Sequence, residues 1–175
     1  MHVINLDEET GTRITLLLVK NVKNIESLRK KIIAGSLDCC AIKPCFVVDP
    51  LQIAVAANKA AISKKAGKLT TKSVNSELLY NLSVSKNITQ SLNTFGIDDK
   101  TSDILIVVFE ENGVNRVEGM KPEIEGELCD IGEIKHLVNA EQVKKIYKIK
   151  DSELKVSTLL DSVISRIAVK DFGSH

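Results

Sequence analysis

Residues 49–60 read DPLQIAVAANKA, and this segment combines a strong helix start with a run of apolar helix formers. Asp49 is a preferred N-cap residue, because its carboxylate accepts hydrogen bonds from the free amides of the first turn. Pro50 suits the first helical position, where its missing N–H costs nothing. Gly67 is a natural stop, since glycine readily adopts positive φ. The sequence therefore predicts a central helix from Pro50 to Ala66.

The predicted central helix has one polar stripe, formed by the residues that recur at helical spacing, Gln52, Ala56, Lys59 and Ser63. We expect this stripe to face solvent and the other sides to be buried. Asn58 lies about 120° from the stripe at roughly 100° per residue. Because a half-buried amide needs partners, we expect Asn58 to be hydrogen-bonded within the fold.

Length and composition favour one domain that spans residues 1–175. The chain has 175 residues, of which 43% are hydrophobic and 27% charged, and this is enough for one core. The longest apolar runs, residues 14–19 and 104–109, are too short to span a bilayer. The first nine residues are acidic rather than signal-like. We therefore expect a soluble intracellular protein with no membrane partner.

The net charge of +1 conceals an uneven distribution along the chain. Residues 50–97 carry six lysines against one acid, for a charge of +5. Residues 98–133 carry eleven acids against three bases, for a charge of −8. Separate basic and acidic faces suit contact with a polyanion on one side and with a protein on another. An ordinary solvated surface explains the same pattern.

Two apolar segments predict the central strands of a sheet. Residues 12–20 (TRITLLLVK) are rich in β-branched and apolar residues, and residues 103–109 (DILIVVF) have an all-apolar middle typical of a strand covered on both faces. Residues 45–48 predict a short strand or extended segment, residues 36–44 a loop, and residues 126–131 an edge strand. The expected fold is a single α/β domain with a mixed or antiparallel central sheet flanked by helices.

Helix start and stop signals recur along the rest of the chain. They predict helices over residues 25–34, 73–82, 88–95 and 140–148, and a helical turn over residues 116–121. The first of these is expected to point Leu28, Ile32 and Ile33 inward. Residues 68–72 predict an exposed basic turn before the third helix, which Ser73 or Thr71 opens.

The last predicted helix runs from Asp151 or Ser152 to Val169 and carries an amphipathic stripe. Its apolar members follow helical spacing at Val156, Leu159, Leu160, Val163, Ile164 and Ile167. One interpretation is that the stripe docks on the protein's own sheet. The other is that part of it docks in the groove of another protein.

Sequence motifs of enzymes are absent. The chain has no Walker A loop, no glycine-rich dinucleotide turn, no Gly-x-Ser-x-Gly elbow and no kinase signature. Its three histidines, His2, His136 and His175, do not group into a triad or a metal cluster. Its four cysteines lack metal or redox spacing, and we expect them to be reduced thiols. We expect no active site, no metal and no cofactor.

Several blocks of the chain, in order, resemble the PRPK-binding protein family, the small subunits of the KEOPS (EKC) complex. The blocks are residues 49–60 (DPLQIAVAANKA), 76–83 (SELLYNLS), 87–97 (NITQSLNTFGI) and 143–148 (VKKIYK). Shorter matches occur at residues 22–24, 158–161 and 170–171. The resemblance covers nearly the whole chain.

The resemblance implies a non-catalytic subunit with no small-molecule substrate. It implies 1:1 binding to the N-terminal lobe of a small atypical kinase-ATPase, within a complex that installs threonylcarbamoyl on the adenosine beside the anticodon of tRNA. The resemblance also implies a location in the cytoplasm and the nucleus. In the family the kinase contact uses the C-terminal helices, which correspond here to Val156, Leu159, Leu160, Val163, Ile164 and Ile167.

Archaeal members also grip the single-stranded 3′ end of tRNA. The resemblance carries this role to Asn58, Lys59, Lys72, Glu77 and Ser83, within the basic segment. Lysines neutralise phosphates, and amide groups read base edges. Single-strand binding also uses aromatic stacking surfaces, and this segment offers Tyr80 and Phe95, of which Phe95 is expected in the core.

The sequence leaves two other classes of function open. The first is a stand-alone RNA-binding module whose last helix only completes its own core. The second is a small-molecule enzyme with an unrecognised site, which the missing catalytic residues disfavour.

Overall fold

The fold of the chain is built on one antiparallel sheet. A computed structural model of the protein describes residues 1–172, and within them a five-stranded sheet is flanked by helices. The expected single-domain α/β fold with a central antiparallel sheet is therefore confirmed. Gly173, Ser174 and His175 lie outside the described residues. The extent of the domain to residue 175 stays a prediction.

The strands pair in the order β1-β2-β4-β3, and β5 pairs with β2 beside β1. Strands β2 and β4 are antiparallel from the pair Thr12–Glu111 to the pair Val19–Ile104. Both predicted central strands are confirmed, and β5 is the predicted edge strand. The bounds are β1 His2–Asn5, β2 Thr12–Lys20, β3 Cys40–Ile42, β4 Ile104–Glu111 and β5 Glu127–Cys129.

Helices cover the sheet, and short 3₁₀ turns connect them. The α-helices are α1 Ile25–Ile33, α2 Pro50–Lys65, α3 Val74–Leu82, α4 Ile88–Phe95, α5 Val117–Met120, α6 Ala140–Ile146 and α7 Leu159–Val169. The 3₁₀ turns are Glu8–Thr10, Pro44–Phe46, Lys121–Glu123, Ile131–His136 and Glu153–Lys155.

The sheet separates two apolar cores, because successive side chains of a strand point to opposite faces. Leu16 and Leu18 of β2 join the core that α2, α3, α6 and α7 cover. Leu17 and Val19 join the core that α1 and α5 cover. The whole apolar run of β2 is therefore buried, which explains why that segment shows no alternation.

Helix α2 begins and ends as the sequence predicts. The Asp49 carboxylate accepts a hydrogen bond from the Leu51 amide, Pro50 takes the first position, and Gly67 adopts φ of 68° after the helix. The predicted solvent-facing stripe is wrong, because Gln52 and Ala56 are completely buried. The Gln52 side chain accepts from the Val48 amide at 2.8 Å and donates to the Tyr147 hydroxyl at 3.0 Å. These hydrogen bonds offset the free-energy cost of burying the Gln52 amide group.

Three further predictions about local structure are wrong. Residues 40–42 are not loop but a fully buried strand that pairs with β4. The strand or extended segment expected over residues 45–48 is wrong for Cys45 and Phe46, which belong to the 3₁₀ turn Pro44–Phe46, whereas Val47 is extended. Proline cannot continue the strand ladder, since it has no N–H. Ile33 is 73% exposed rather than inward. It lies about 140° around α1 from the buried Leu28.

Candidate functional site

Helix α7 begins at Leu159, so the predicted start at Asp151 or Ser152 is wrong. The Thr158 hydroxyl accepts a hydrogen bond from the Asp161 amide at 3.1 Å and caps the helix. A hydroxyl that bonds the backbone in this way favours a helix start over a helix interior. Val156 therefore lies before the helix, where it is 89% exposed.

The structure sorts the predicted apolar stripe of the last segment into two groups. Val163 and Ile167 are buried in the core, with exposures of 0% and 1%. Leu159, Leu160 and Ile164 are only partly buried. Together with the exposed Val156, they are the members of the stripe that remain accessible to a partner.

The C-terminal end of α7 is anchored by two lysines. The ammonium group of Lys59, on α2, donates to the Ile167 carbonyl oxygen at 2.7 Å and pairs with the Asp171 carboxylate at 3.0 Å. The ammonium group of Lys170 donates to the Tyr80 carbonyl oxygen and lies over the Tyr80 ring. Cations at a helix C-terminus satisfy its free carbonyl groups and its dipole. The two lysines thus fix α7 against α2 and α3.

Another edge of α7 is tied to the preceding segment by an arginine fork. The Arg166 guanidinium donates to both Glu153 carboxylate oxygens at 2.7 Å and to the Lys148 carbonyl oxygen at 3.1 Å. The hydrogen bonds from Arg166 lower the pKa of Glu153 to about 2. Bidentate pairs of this kind hold a fixed geometry. The 3₁₀ turn Glu153–Lys155 is therefore held on α7.

The basic turn between α2 and α3 is organised around an internal anion. The Glu77 side chain is buried, and its carboxylate accepts from the Thr70 and Thr71 amides at 3.1 and 2.9 Å and from the Thr71 hydroxyl at 2.8 Å. Lys68 and Lys72 are exposed on this turn, as predicted. Glu77 therefore shapes the turn from inside.

The five residues expected at a tRNA contact do not form one exposed surface. Lys72 is exposed, but Lys59 and Glu77 are engaged as described above. The Asn58 amide oxygen accepts from the Asp7 amide at 2.9 Å, which confirms the expected partner within the fold. Ser83 is buried, and its hydroxyl accepts from the Ser85 amide at 3.1 Å. Their assignment to tRNA stays a prediction.

The possible metal ligands of the described residues are scattered. Residues 1–172 contain no group of three or more His, Cys, Asp or Glu that suits a metal ion. The four cysteines are free thiols, as expected. Burial raises the pKa of Cys39 to about 12, which keeps this thiol protonated and unreactive. Among the described helices, none is long and apolar enough to cross a membrane.

Lys170 was not predicted as a site residue, and Tyr80 was predicted only as a stacking surface. Lys170 belongs to one of the resembling blocks, but a lysine near a chain end predicts a solvated side chain rather than one only 1% exposed. Tyr80 is 9% exposed, and Lys170 covers its ring. The signal that points to Lys170 is its helical spacing to Val163 and Ile167, which places all three on the buried face of α7.

These features define a small α/β domain with a partly exposed apolar helix edge and a basic turn. The chain belongs to the family described as "Kinase binding protein CGI-121", whose model matches residues 19–171. This match confirms the resemblance that the sequence blocks indicated. It spans α1 to α7, and so includes both the basic turn and the apolar edge.

Relatives across animals and fungi carry subunit names. "EKC/KEOPS complex subunit TPRKB" of Danio rerio is 37% identical over 159 residues, which are 90% of this chain and 91% of that protein. "EKC/KEOPS complex subunit CGI121" of Yarrowia lipolytica is 29% identical over 139 residues, 78% of this chain and 79% of that protein. The Gibberella zeae protein of the same name is 27% identical over 180 residues, 90% of this chain and 91% of that protein.

Proposed function

We propose that this chain is a non-catalytic subunit of a KEOPS/EKC complex that binds a small atypical kinase-ATPase and helps hold tRNA for threonylcarbamoyladenosine modification. The observation that carries the proposal is the family match over residues 19–171 to a kinase binding protein. Relatives of nearly the same length, named as subunits of that complex, support it. The proposed compartments are the cytoplasm and the nucleus.

The accessible apolar residues of α7 form the proposed kinase contact. Leu160 and Ile164 are partly exposed and lie within about 40° of each other on the helix. Apolar side chains at such positions give an interface its desolvated centre. Val163 and Ile167 act indirectly, because they hold α7 on the core.

Binding regulates the kinase only if this chain prefers one of its conformations. A partner shifts a conformational equilibrium by its difference in affinity for the two states. Helix α7 is fixed at its C-terminal end by Lys59 and Lys170 and along one edge by Arg166, and so presents a defined surface. It therefore favours the kinase conformation that is complementary to this surface.

The proposed role in tRNA binding rests on the basic turn. Lys68 and Lys72 are exposed there, and lysines bind phosphates with little dependence on sequence. The stacking surface of Tyr80 is covered by Lys170 and that of Phe95 is in the core. The structure therefore supports phosphate contacts more strongly than base stacking at this turn.

The proposal is tested by isothermal titration of the chain against its purified kinase-ATPase without tRNA. A saturable 1:1 heat is expected, and Leu160→Glu or Ile164→Glu should abolish it while circular dichroism shows an unchanged fold. Ile33→Glu is the matched control, because Ile33 is 73% exposed on the other side of the sheet. If the wild-type chain does not bind the kinase but binds tRNA, it is a stand-alone RNA-binding module.

A further inference from the structure

Helix α2 exposes an apolar stripe to solvent. Leu51 is 50% exposed, Ile62 is 45% exposed, and Val55 is partly exposed between them. These three side chains lie within about 40° of one another around the helix. A helix of a folded domain ordinarily turns its polar side outward. The stripe on α2 departs from this rule, because its apolar side chains face solvent. A partner that covers the stripe would explain it.

The α2 stripe is uncharged from Leu51 to Ile62. Its central position is taken by Asn58, whose amide oxygen is already bonded to the Asp7 amide. The neighbouring Lys59 points its ammonium group away, to Ile167 and Asp171 of the segment that includes α7. The stripe itself carries no charge, but charged groups flank it: the Asp171 side chain is 58% exposed, and Glu8 and Glu9 lie on the 3₁₀ turn that contacts α2.

Helix α7 packs against α2, and its two edges differ in character. The edge of Ser162 and Arg166 is polar and faces the preceding segment, through Ser157 and Glu153. Leu160 and Ile164 each lie about 160° from Ser162, on the opposite edge. The apolar edge of α7 thus faces away from the polar segment, so α2 is the packed neighbour that can extend it.

The area of the α7 edge is too small for a stable complex. Specific interfaces bury about 800 Å² on each partner. A few partly exposed aliphatic side chains on one 11-residue helix supply much less. The contact must extend beyond α7. Val156, 89% exposed after the Glu153–Lys155 turn, adds one apolar side chain, and the α2 stripe adds three.

We infer that Leu51, Val55 and Ile62 form the second half of the surface that the kinase buries. This inference rests on the proposed function, since it takes the kinase as the occupant of a surface that continues from α7. The partner surface that fits is an apolar patch with polar groups at its rim. Binding through it depends little on salt, in contrast to binding through the lysines of the basic turn.

This inference is tested by charged substitutions in α2 whose sign is compatible with the helix dipole. Leu51→Glu places an acid near the helix N-terminus and Ile62→Lys a base near its C-terminus, where each charge is tolerated. Matched controls are Ile88→Glu at the first position of α4 and Ile33→Lys at the last position of α1, since both residues are exposed apolar ones.

The titration should show that each α2 variant weakens kinase binding by about tenfold or more, while each control stays within about twofold of wild type. Binding at wild-type strength by both α2 variants, with binding lost in Leu160→Glu, would overturn the inference and leave the proposed function intact. Absence of kinase binding by the wild-type chain would overturn both.

A measurement on the wild-type chain avoids any effect of substitution on folding. Methyl NMR signals of Leu51, Val55 and Ile62 should shift or broaden when the kinase is added, and those of Ile33 and Ile88 should not. Unchanged signals from all three α2 residues in the saturated complex would exclude them from the interface.

Discussion

The ammonium group of Lys170 lies 3.5 Å from the centroid of the Tyr80 ring and donates to the Tyr80 carbonyl oxygen. The pKa of Lys170 is lowered to about 8, mainly by burial and also by the positive charge of Lys59, while Asp171 and Glu77 oppose the change. A cation over an aromatic face is stabilised by the ring quadrupole. The contacts of Lys170 with the Tyr80 ring and carbonyl oxygen therefore stabilise its charged form, whereas its burial destabilises that form.

Lys170 should make folding stability rise with pH above about 8. Its pKa is lower in the folded chain than the ordinary 10.5, so above the folded value the unfolded chain binds more protons. Stability gained in this way is lost again as the pH falls through the folded pKa. Urea unfolding of the wild-type chain and of Lys170→Met between pH 7 and 9.5 measures the difference.

The expected result is that wild type gains stability relative to Lys170→Met across this pH range. The comparison with the variant removes the contributions of other groups, because the cysteines and tyrosines are present in both chains. Parallel stability curves would mean that Lys170 titrates at its ordinary pKa and that its ammonium group is well solvated.

Glu77→Gln should release the basic turn without unfolding the domain. Both carboxylate oxygens of Glu77 hold the turn, and glutamine offers only one acceptor oxygen. A lost buried hydrogen bond to a charged group costs about 1–3 kcal/mol. Amide hydrogen exchange of Thr70 and Thr71 should accelerate. Glu26→Gln is the control, since Glu26 also lies in the first turn of a helix and is exposed; equal acceleration in it would contradict the role of Glu77.

Glu110 should make the protein sensitive to acid. Burial raises the pKa of its carboxyl group, but hydrogen bonds from Thr15, from the Arg116 and Val117 amides and from Arg13 outweigh burial and lower it below 4.5. Stability from Glu110 is therefore complete above the ordinary pKa and is lost as the pH falls through the lower folded value.

Glu110→Gln tests this acid sensitivity by removing the charge. The expected cost is about 1–3 kcal/mol at neutral pH, with a smaller loss of stability than wild type shows below pH 4.5. Glu111→Gln is the neighbouring control, because the Glu111 side chain is 50% exposed. Thermal unfolding from pH 3 to 7 measures both. An equal change in the two variants would show that the bonds to Glu110 add no stability.

Much of the fold was predictable because the helix-start signals and the apolar runs in the sequence indicate the same elements that the structure shows. The Asp49-Pro50 start of α2 acts within one turn, so the sequence alone locates it. The apolar runs of β2 and β4 are buried on both faces, so their composition alone indicates strands. The family resemblance depended on the same well-defined segments.

What the sequence did not predict depends on distant partners. Gln52 reads as a solvent-facing residue, but it is buried because Tyr147, far along the chain, offers a hydrogen bond. Strand β3 is only three residues long and exists through its pairing with β4. The division of the α7 stripe into buried and accessible residues likewise needs the position of α2. These features depend on tertiary contacts, and the periodicity of a sequence does not predict which distant residues come into contact.

Tyr147→Phe should destabilise the domain through one hydroxyl group. The Tyr147 hydroxyl donates to the Leu82 carbonyl oxygen at 2.5 Å and accepts from the Gln52 amide at 3.0 Å. Removal of the hydroxyl leaves two buried polar groups short of a partner, at a cost of about 1–3 kcal/mol. Tyr80→Phe is the control, and it should cost less, because the cation–π contact uses the ring. Urea unfolding that ranks Tyr80→Phe as the more damaging change would contradict this assignment.

The last prediction separates the two lysines of the proposed tRNA contact by their structural roles. Lys72 is exposed, so Lys72→Glu should weaken binding of full-length tRNA and lower the slope of log affinity against log salt by about 0.7–0.9. Lys59 is bonded to Ile167 and Asp171, so Lys59→Gln should instead lower the unfolding temperature and leave the slope nearly unchanged. Lys30→Glu, on α1, is the charge-matched control. A normal slope in Lys72→Glu would exclude the basic turn as a phosphate contact, and a slope reduced in Lys59→Gln would show that Lys59 leaves α7 to bind RNA.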